Sequence, residues 1–66
     1  MSIGQNIKKY RKRRKLTQVQ LAEKIGVVQS NVHRWEANLI TPSIDTVKKL
    51  SKILKVSTDN LILNDD

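Results

Sequence analysis

A glycine between two short apolar stripes is the feature that most constrains how this chain can fold. Wound as helices, the segments on either side of Gly26 each gather apolar residues on one side: Leu21, Ala22 and Ile25 before it, and Val28, Val32 and Trp35 after it. Glycine adopts a positive φ without strain and therefore ends helices readily. Because only two or three residues connect the two helices, we expect them to cross steeply.

Capping residues mark where further helices begin. Thr17, followed three residues later by Gln20, is the capping-box pattern that starts the helix before the glycine. Pro42 disfavours a helical residue before it and suits a first helical turn, which Ser43 can cap. Ser57 is an N-cap candidate for a last short helix. These signals separate the chain into short helices without a linker.

Apolar periodicity completes the fold prediction. A first helix over about 3–14 has Ile3, Ile7 and Tyr10 on one side, and the helix after Ser43 has a stripe of Ile44, Val47, Leu50 and Leu54. The predicted fold is all-α, a compact bundle of four to five short helices that forms a single domain over 1–66. A chain of this size buries only roughly 60% of its extended surface, so its core must be lean.

Composition argues against several classes of function. The chain has no cysteine and one histidine, which leaves no disulfide, thiolate metal site or histidine metal cluster. It also has no nucleophile–base pair and no glycine-rich phosphate loop, so we expect no enzymatic activity and no cofactor. No apolar run approaches the ~20 residues of a membrane span, and the amino terminus has no signal-peptide core. We therefore expect a cytoplasmic protein.

The positive charge is concentrated in one place. Residues 8–15, "KKYRKRRK", hold seven basic residues and no acid, whereas the rest of the chain has six basic residues and six acids. The formal net charge of +7 thus equals the charge of this basic stretch. Such a stretch indicates a polyanionic partner, either nucleic acid or an anionic membrane, although it can also be a solvated helix face. Membrane binding fits poorly, because the thin apolar face of the first helix is needed for the core.

Residues 16–62 resemble the Xre/phage-repressor type of helix-turn-helix DNA-binding domain. The elements "LTQ", "LA", "G", "Q", "WE", "P", "VS" and "L" occur in the order and spacing of that family, and "IGQNIKKYRK" fits its first helix. The resemblance implies a helix-turn-helix at about 17–37, whose second helix, 29–37, enters the major groove of duplex DNA with its amino end first. It also implies that the outward residues of this helix contact base edges.

The resemblance implies a set of DNA contacts. Gln29 can pair with adenine, Arg34 with guanine, and Ser30 lies one turn from Arg34 on the same face. Val28 stands where a serine or threonine cap is common and can touch a thymine methyl group. His33 and Asn31 are expected at phosphates or bases. The remaining phosphate contacts are assigned to the start of the second helix, the end of the third and the basic stretch, namely Gln18, Asn38, Arg13 and Lys15.

Two charged residues have a predicted structural role. Arg11 and Glu36 border apolar faces and match positions that form a buried or half-buried ion pair in phage-repressor relatives. We therefore expect them to bond to each other and to join the first helix to the third. Lys15 occupies a turn position where relatives often carry glycine, which predicts slight strain after the first helix.

The leading functional hypothesis is a sequence-specific transcriptional regulator, a dimeric repressor on a near-palindromic operator. Its dimer surface is predicted near 54–63, in the residues Val56, Leu61, Ile62 and Leu63. The alternative is a protein-interaction or antitoxin-type module with the same fold. The chain is either a complete small regulator or the amino-terminal domain of a longer one.

Overall fold

The computed structural model describes residues 2–62, which form five α-helices and no strand. The helices are α1 (Ile3–Arg13), α2 (Gln18–Ile25), α3 (Gln29–Glu36), α4 (Ile44–Leu54) and α5 (Thr58–Ile62). The predicted all-α bundle is confirmed.

The caps expected from the sequence are present. The Thr17 hydroxyl accepts a hydrogen bond from the backbone N–H of Gln20, and the Gln20 side chain accepts one from the backbone N–H of Thr17. The Ser43 hydroxyl accepts from the Thr46 N–H, and the Ser57 hydroxyl accepts from the N–H of Asn60. These bonds satisfy backbone donors that a helix leaves free in its first turn, so they fix where α2, α4 and α5 begin.

The glycine turn between α2 and α3 also has the expected geometry. Gly26 has φ +89° and its N–H donates to the carbonyl of Ala22 at 2.8 Å. Lys15 adopts a positive φ of 58° after α1, as its position in the turn predicted. An L-residue in this conformation is less favourable than glycine, so the α1–α2 connection is slightly strained.

One apolar core draws on all five helices. Its residues with less than 2% of their surface exposed are Ile7, Leu21, Val32, Leu50, Leu54 and Leu61. Trp35, 4% exposed, packs in the same core as predicted. The buried amide of Asn6 donates to the carbonyl of Leu61 at 2.9 Å, which ties α1 to α5. Among the described residues, no helix is both long and apolar enough to cross a bilayer.

Two residues assigned to buried stripes are exposed. Val28 is 64% exposed because it is the N-cap of α3, where its extended backbone (φ −79°, ψ 152°) does not follow helical spacing. Ile44 is 74% exposed because it begins α4 one turn before Val47, the first residue of that helix in the core. Both predictions of burial were wrong.

Gly4 allows α1 to approach the carboxyl end of α3. A Cβ atom at this position would overlap the carbonyl oxygen of Trp35 and would lie 2.6 Å from Oδ1 of Asn38. The Gly4 N–H donates to that Asn38 oxygen at 3.2 Å. Sequence reasoning missed this contact, although an unexplained glycine inside a helical pattern was the signal for it.

Gly4→Ala is expected to destabilise the fold. Alanine improves helix propensity by about 1 kcal/mol, but overpacking against a backbone atom costs roughly 1–3 kcal/mol or more. Since the obstructing atom belongs to the main chain, we expect the steric cost to dominate. Thermal unfolding followed by circular dichroism should show a lower midpoint than for wild type. Lys49→Ala, at an exposed position of α4, is the control. An unchanged or higher midpoint for Gly4→Ala would contradict the close approach.

Candidate nucleic-acid interface

The third helix has one buried side and one polar side that is open to solvent. Val32, Trp35 and Glu36 are buried, which fixes α3 to the rest of the domain. The opposite surface presents the exposed side chains of Gln29, Ser30, His33 and Arg34, with Asn31 half-buried at its edge. The residues expected to contact bases are thus together on one exposed face.

Val28 extends this face at the amino end of α3. It lies directly before Gln29, and α3 begins without a side-chain hydrogen bond at its cap. The Val28 isopropyl group therefore stands at the N-cap, where a serine or threonine hydroxyl could accept a hydrogen bond from a backbone N–H of the first turn. An exposed apolar group at this end can contact the methyl group of thymine, as the sequence indicated.

A buried ion pair joins α1 to the end of α3. Arg11 Nε donates to Glu36 Oε2 at 2.6 Å and Nη2 donates to Oε1 at 3.0 Å. Arg11 Nη1 also donates to the carbonyl of Leu16 at 2.8 Å. Arg11 is 8% exposed and Glu36 is 9% exposed. The two side chains expected to bond to each other do so, in a bidentate geometry that satisfies both charges.

The same carboxylate also holds the start of α2. Gln18, the first residue of α2, is half-buried, and its Nε2 donates to Glu36 Oε1 at 3.1 Å. Glu36 therefore connects α1, α2 and α3 through one side chain. Gln18 lies in the first turn of its helix, where the free backbone N–H groups and the helix dipole favour an anion.

Asn38 lies just after α3 with φ +60°. It is exposed, and its Oδ1 accepts the bond from the Gly4 N–H. Because the oxygen serves that bond, the NH₂ group is the part of this side chain suited to an anion.

The basic residues of the stretch 8–15 differ in the contacts that they make within the domain. The Lys9 ammonium lies 4.7 Å and the Arg13 guanidinium 5.3 Å from the centre of the Tyr10 ring. Arg14 Nε donates to the carbonyl of Leu54 at 3.1 Å, near the carboxyl end of α4. This role of Arg14 was not evident from the sequence. Lys15 is exposed in the turn that follows.

The predicted dimer surface needs a correction. Leu61 is wholly buried in the core of its own chain and presents no surface to a partner. Val56 is half-buried, and Ile62 is 52% exposed. Leu63 lies outside the described residues. Composition could not separate these positions, because the short α5 uses Leu61 to close the core.

Two short helices joined by a glycine turn, the second anchored by its apolar side and exposing a polar row, define a helix-turn-helix. The chain belongs to the helix-turn-helix family, whose model, described as "Helix-turn-helix", matches residues 7–61.

Known proteins with similar sequence or structure are bacterial and phage regulators. The transcriptional regulator SinR of Bacillus subtilis (strain 168) is 46% identical over 61 residues, which cover 91% of this chain and 55% of SinR. The P22 c2 repressor in complex with a synthetic operator has a TM-score of 0.91 at 31% identity, with 98% of each chain covered. SinR in complex with DNA has a TM-score of 0.83 at 47% identity, covering 89% of this chain and 95% of that one. The chain spans about half the length of the curated regulators it matches.

Proposed function

We propose that this chain is a sequence-specific DNA-binding domain of a transcriptional regulator, which inserts α3 into the major groove. The observation that carries the proposal is that α3 is fixed by Val32 and Trp35 while Gln29, Ser30 and Arg34 are exposed on its other side. Base edges are recognised by groups that donate and accept hydrogen bonds in pairs, and these side chains can do both as a set. The similar P22 c2 repressor and SinR have been solved with operator or DNA, which supports the same ligand here.

Each exposed residue has a proposed role. Arg34 spans O6 and N7 of a guanine, Gln29 pairs with N6 and N7 of an adenine, and Ser30 contacts a neighbouring base. Val28 contacts a thymine methyl group. Phosphates are held by Gln18 at the start of α2, by Asn31 and His33 along α3, and by Asn38 just after α3.

We further propose that the domain, 1–66, acts as a cytoplasmic homodimeric repressor. One helix contacts too few base pairs for specificity in a genome, whereas two helices about 34 Å apart contact enough. Similarity to the immunity repressor of Bacillus phage phi105 supports repression. The exposed Ile62 remains available for contact between the two copies.

Selection of bound sequences from a random duplex pool tests this function. The expected product is a near-palindromic site whose half-sites are one helical turn apart, 10–10.5 base pairs in B-DNA. A single asymmetric half-site would contradict the dimer. No enrichment at low salt would contradict DNA recognition and would favour the protein-interaction module as the function of this fold.

A further inference from the structure

The contacts of α1 show which side of this helix faces α3 and which side faces α5. The Gly4 N–H bonds to Asn38, just after α3, and Arg11 bonds to Glu36, at the end of α3. The flank that contains Gly4 and Arg11 therefore lies against the carboxyl end of α3.

A second pair of contacts joins α1 and the residue after it to α5 and α4. Asn6 donates to the carbonyl of Leu61 in α5, and Arg14 donates to the carbonyl of Leu54 in α4. The side of α1 that contains Asn6 is thus turned toward α5, away from the flank against α3.

Helical spacing assigns the basic residues to these flanks. Lys8 is four residues after Gly4 and three before Arg11, and Lys12 is four residues after Lys8, so both border the α3 flank. Both side chains are exposed. Lys9 and Arg13, in contrast, are three and seven residues after Asn6 and lie beside Tyr10.

We infer that Lys8 and Lys12 are the phosphate-binding residues of α1, and that Lys9 and Arg13 lie outside the DNA interface. This inference rests on the proposed function, because it places a DNA strand beside α3. Of Arg13 and Lys15, the two residues of the basic stretch that the resemblance implied, the inference replaces Arg13 with two lysines nearer the α3 flank of the same helix and leaves Lys15, which follows α1, unchanged.

The charges around Glu36 support this assignment. Glu36 is neutralised by its bidentate bond to Arg11 and also accepts from Gln18 at the start of α2. The Glu36 carboxylate therefore adds no uncompensated negative charge where α1, α2 and α3 meet. Lys8 and Lys12 add two positive charges on the side of α1 that borders Arg11, and Arg11 shares the Glu36 carboxylate with Gln18 at the start of α2, where a phosphate is favoured. A lysine ammonium binds phosphate as a compact point charge and needs no fixed geometry.

The salt dependence of DNA binding tests the inference with matched variants. Lys8→Gln/Lys12→Gln and Lys9→Gln/Arg13→Gln each remove two positive charges from α1. Binding to a 30-base-pair duplex of random sequence is measured between 50 and 200 mM salt, since phosphate contacts do not depend on base sequence. Each neutralised phosphate contributes about 0.9 to the slope of log K against log[salt].

Lys8→Gln/Lys12→Gln is expected to reduce the slope by about 1.8. Raising the salt from 50 to 200 mM should therefore weaken its binding by a factor that is roughly tenfold smaller than the factor for wild type. Lys9→Gln/Arg13→Gln is expected to change the slope by less than half that amount, because Lys9 and Arg13 lie farther around the helix from the α3 flank than Lys8 and Lys12 do, and exposed charges are screened over about 10 Å. Circular dichroism should show wild-type folding for both.

Equal slopes for the two variants, or a larger effect of Lys9→Gln/Arg13→Gln, would overturn the assignment while leaving the DNA-binding function intact. Failure of the wild-type chain to bind any duplex at low salt would overturn the proposed function, and the assignment with it.

Discussion

Replacing Gln29 and Arg34 together with alanine is expected to abolish sequence-specific DNA binding without unfolding the domain. Both side chains are exposed on α3 and have no role in the core, so their loss leaves the packing of Val32 and Trp35 unchanged. A good bidentate contact to a base contributes about 1–3 kcal/mol of discrimination. Loss of two contacts therefore predicts that each half-site of the selected operator is bound more weakly by roughly 30-fold to 10⁴-fold.

Titration of the selected operator and of an unrelated duplex separates this effect from loss of charge. Lys48→Ala is the control, because it also removes one positive charge, from an exposed position on α4. The double variant should bind the operator no better than the unrelated duplex, whereas Lys48→Ala should retain the preference. In repeat selections, Arg34→Ala should relax the choice at a guanine and Gln29→Ala at an adenine. A double variant that prefers the operator as strongly as the wild-type chain would show that Gln29 and Arg34 do not recognise bases.

Glu36→Gln is expected to cost on the order of 3 kcal/mol of unfolding free energy. The substitution removes the negative charge that Arg11 needs, and Arg11 is 8% exposed and cannot recover full hydration. For a domain of this size each kcal/mol corresponds to roughly 4–8 °C in the unfolding midpoint, so thermal denaturation should show a large decrease. Glu23→Gln, at an exposed position of α2, should leave the midpoint nearly unchanged.

A double substitution distinguishes the ion pair from a simple loss of packing. Replacing both partners of a buried ion pair with apolar residues is often neutral, because no charge is left unpaired. Arg11→Met/Glu36→Leu should therefore be more stable than Glu36→Leu alone. If the double variant is the less stable of the two, the cost arises from other contacts of these side chains, such as the bonds to Leu16 and Gln18.

Much of the fold was predictable because its signals are local. Thr17, Ser43 and Gly26 act within one turn of their own position, so capping and φ preference placed the starts of α2 and α4 and the end of α2. The expected partnership of Arg11 and Glu36 came from resemblance to a family, since nothing local relates residues 25 positions apart in sequence.

The rest depended on tertiary contacts. Whether Leu61 or Ile62 faces the core depends on how the five-residue α5 lies against α1, where the amide of Asn6 meets it. Gly4 similarly acquires its role only in the folded chain, where the carbonyl oxygen of Trp35 occupies the space that a Cβ atom at Gly4 would need. The direction of each basic residue on α1 followed from these contacts and could not be derived from the sequence of the stretch itself.

The carboxylate of Glu36 has a further consequence for the thermodynamics of recognition. Arg11, Gln18 and the end of α3 are bonded through it before any ligand arrives. A surface whose parts are already held in place loses little conformational entropy when it meets its ligand. Calorimetry should accordingly give a heat-capacity change accounted for by the contact area alone, without the larger value that accompanies folding on association.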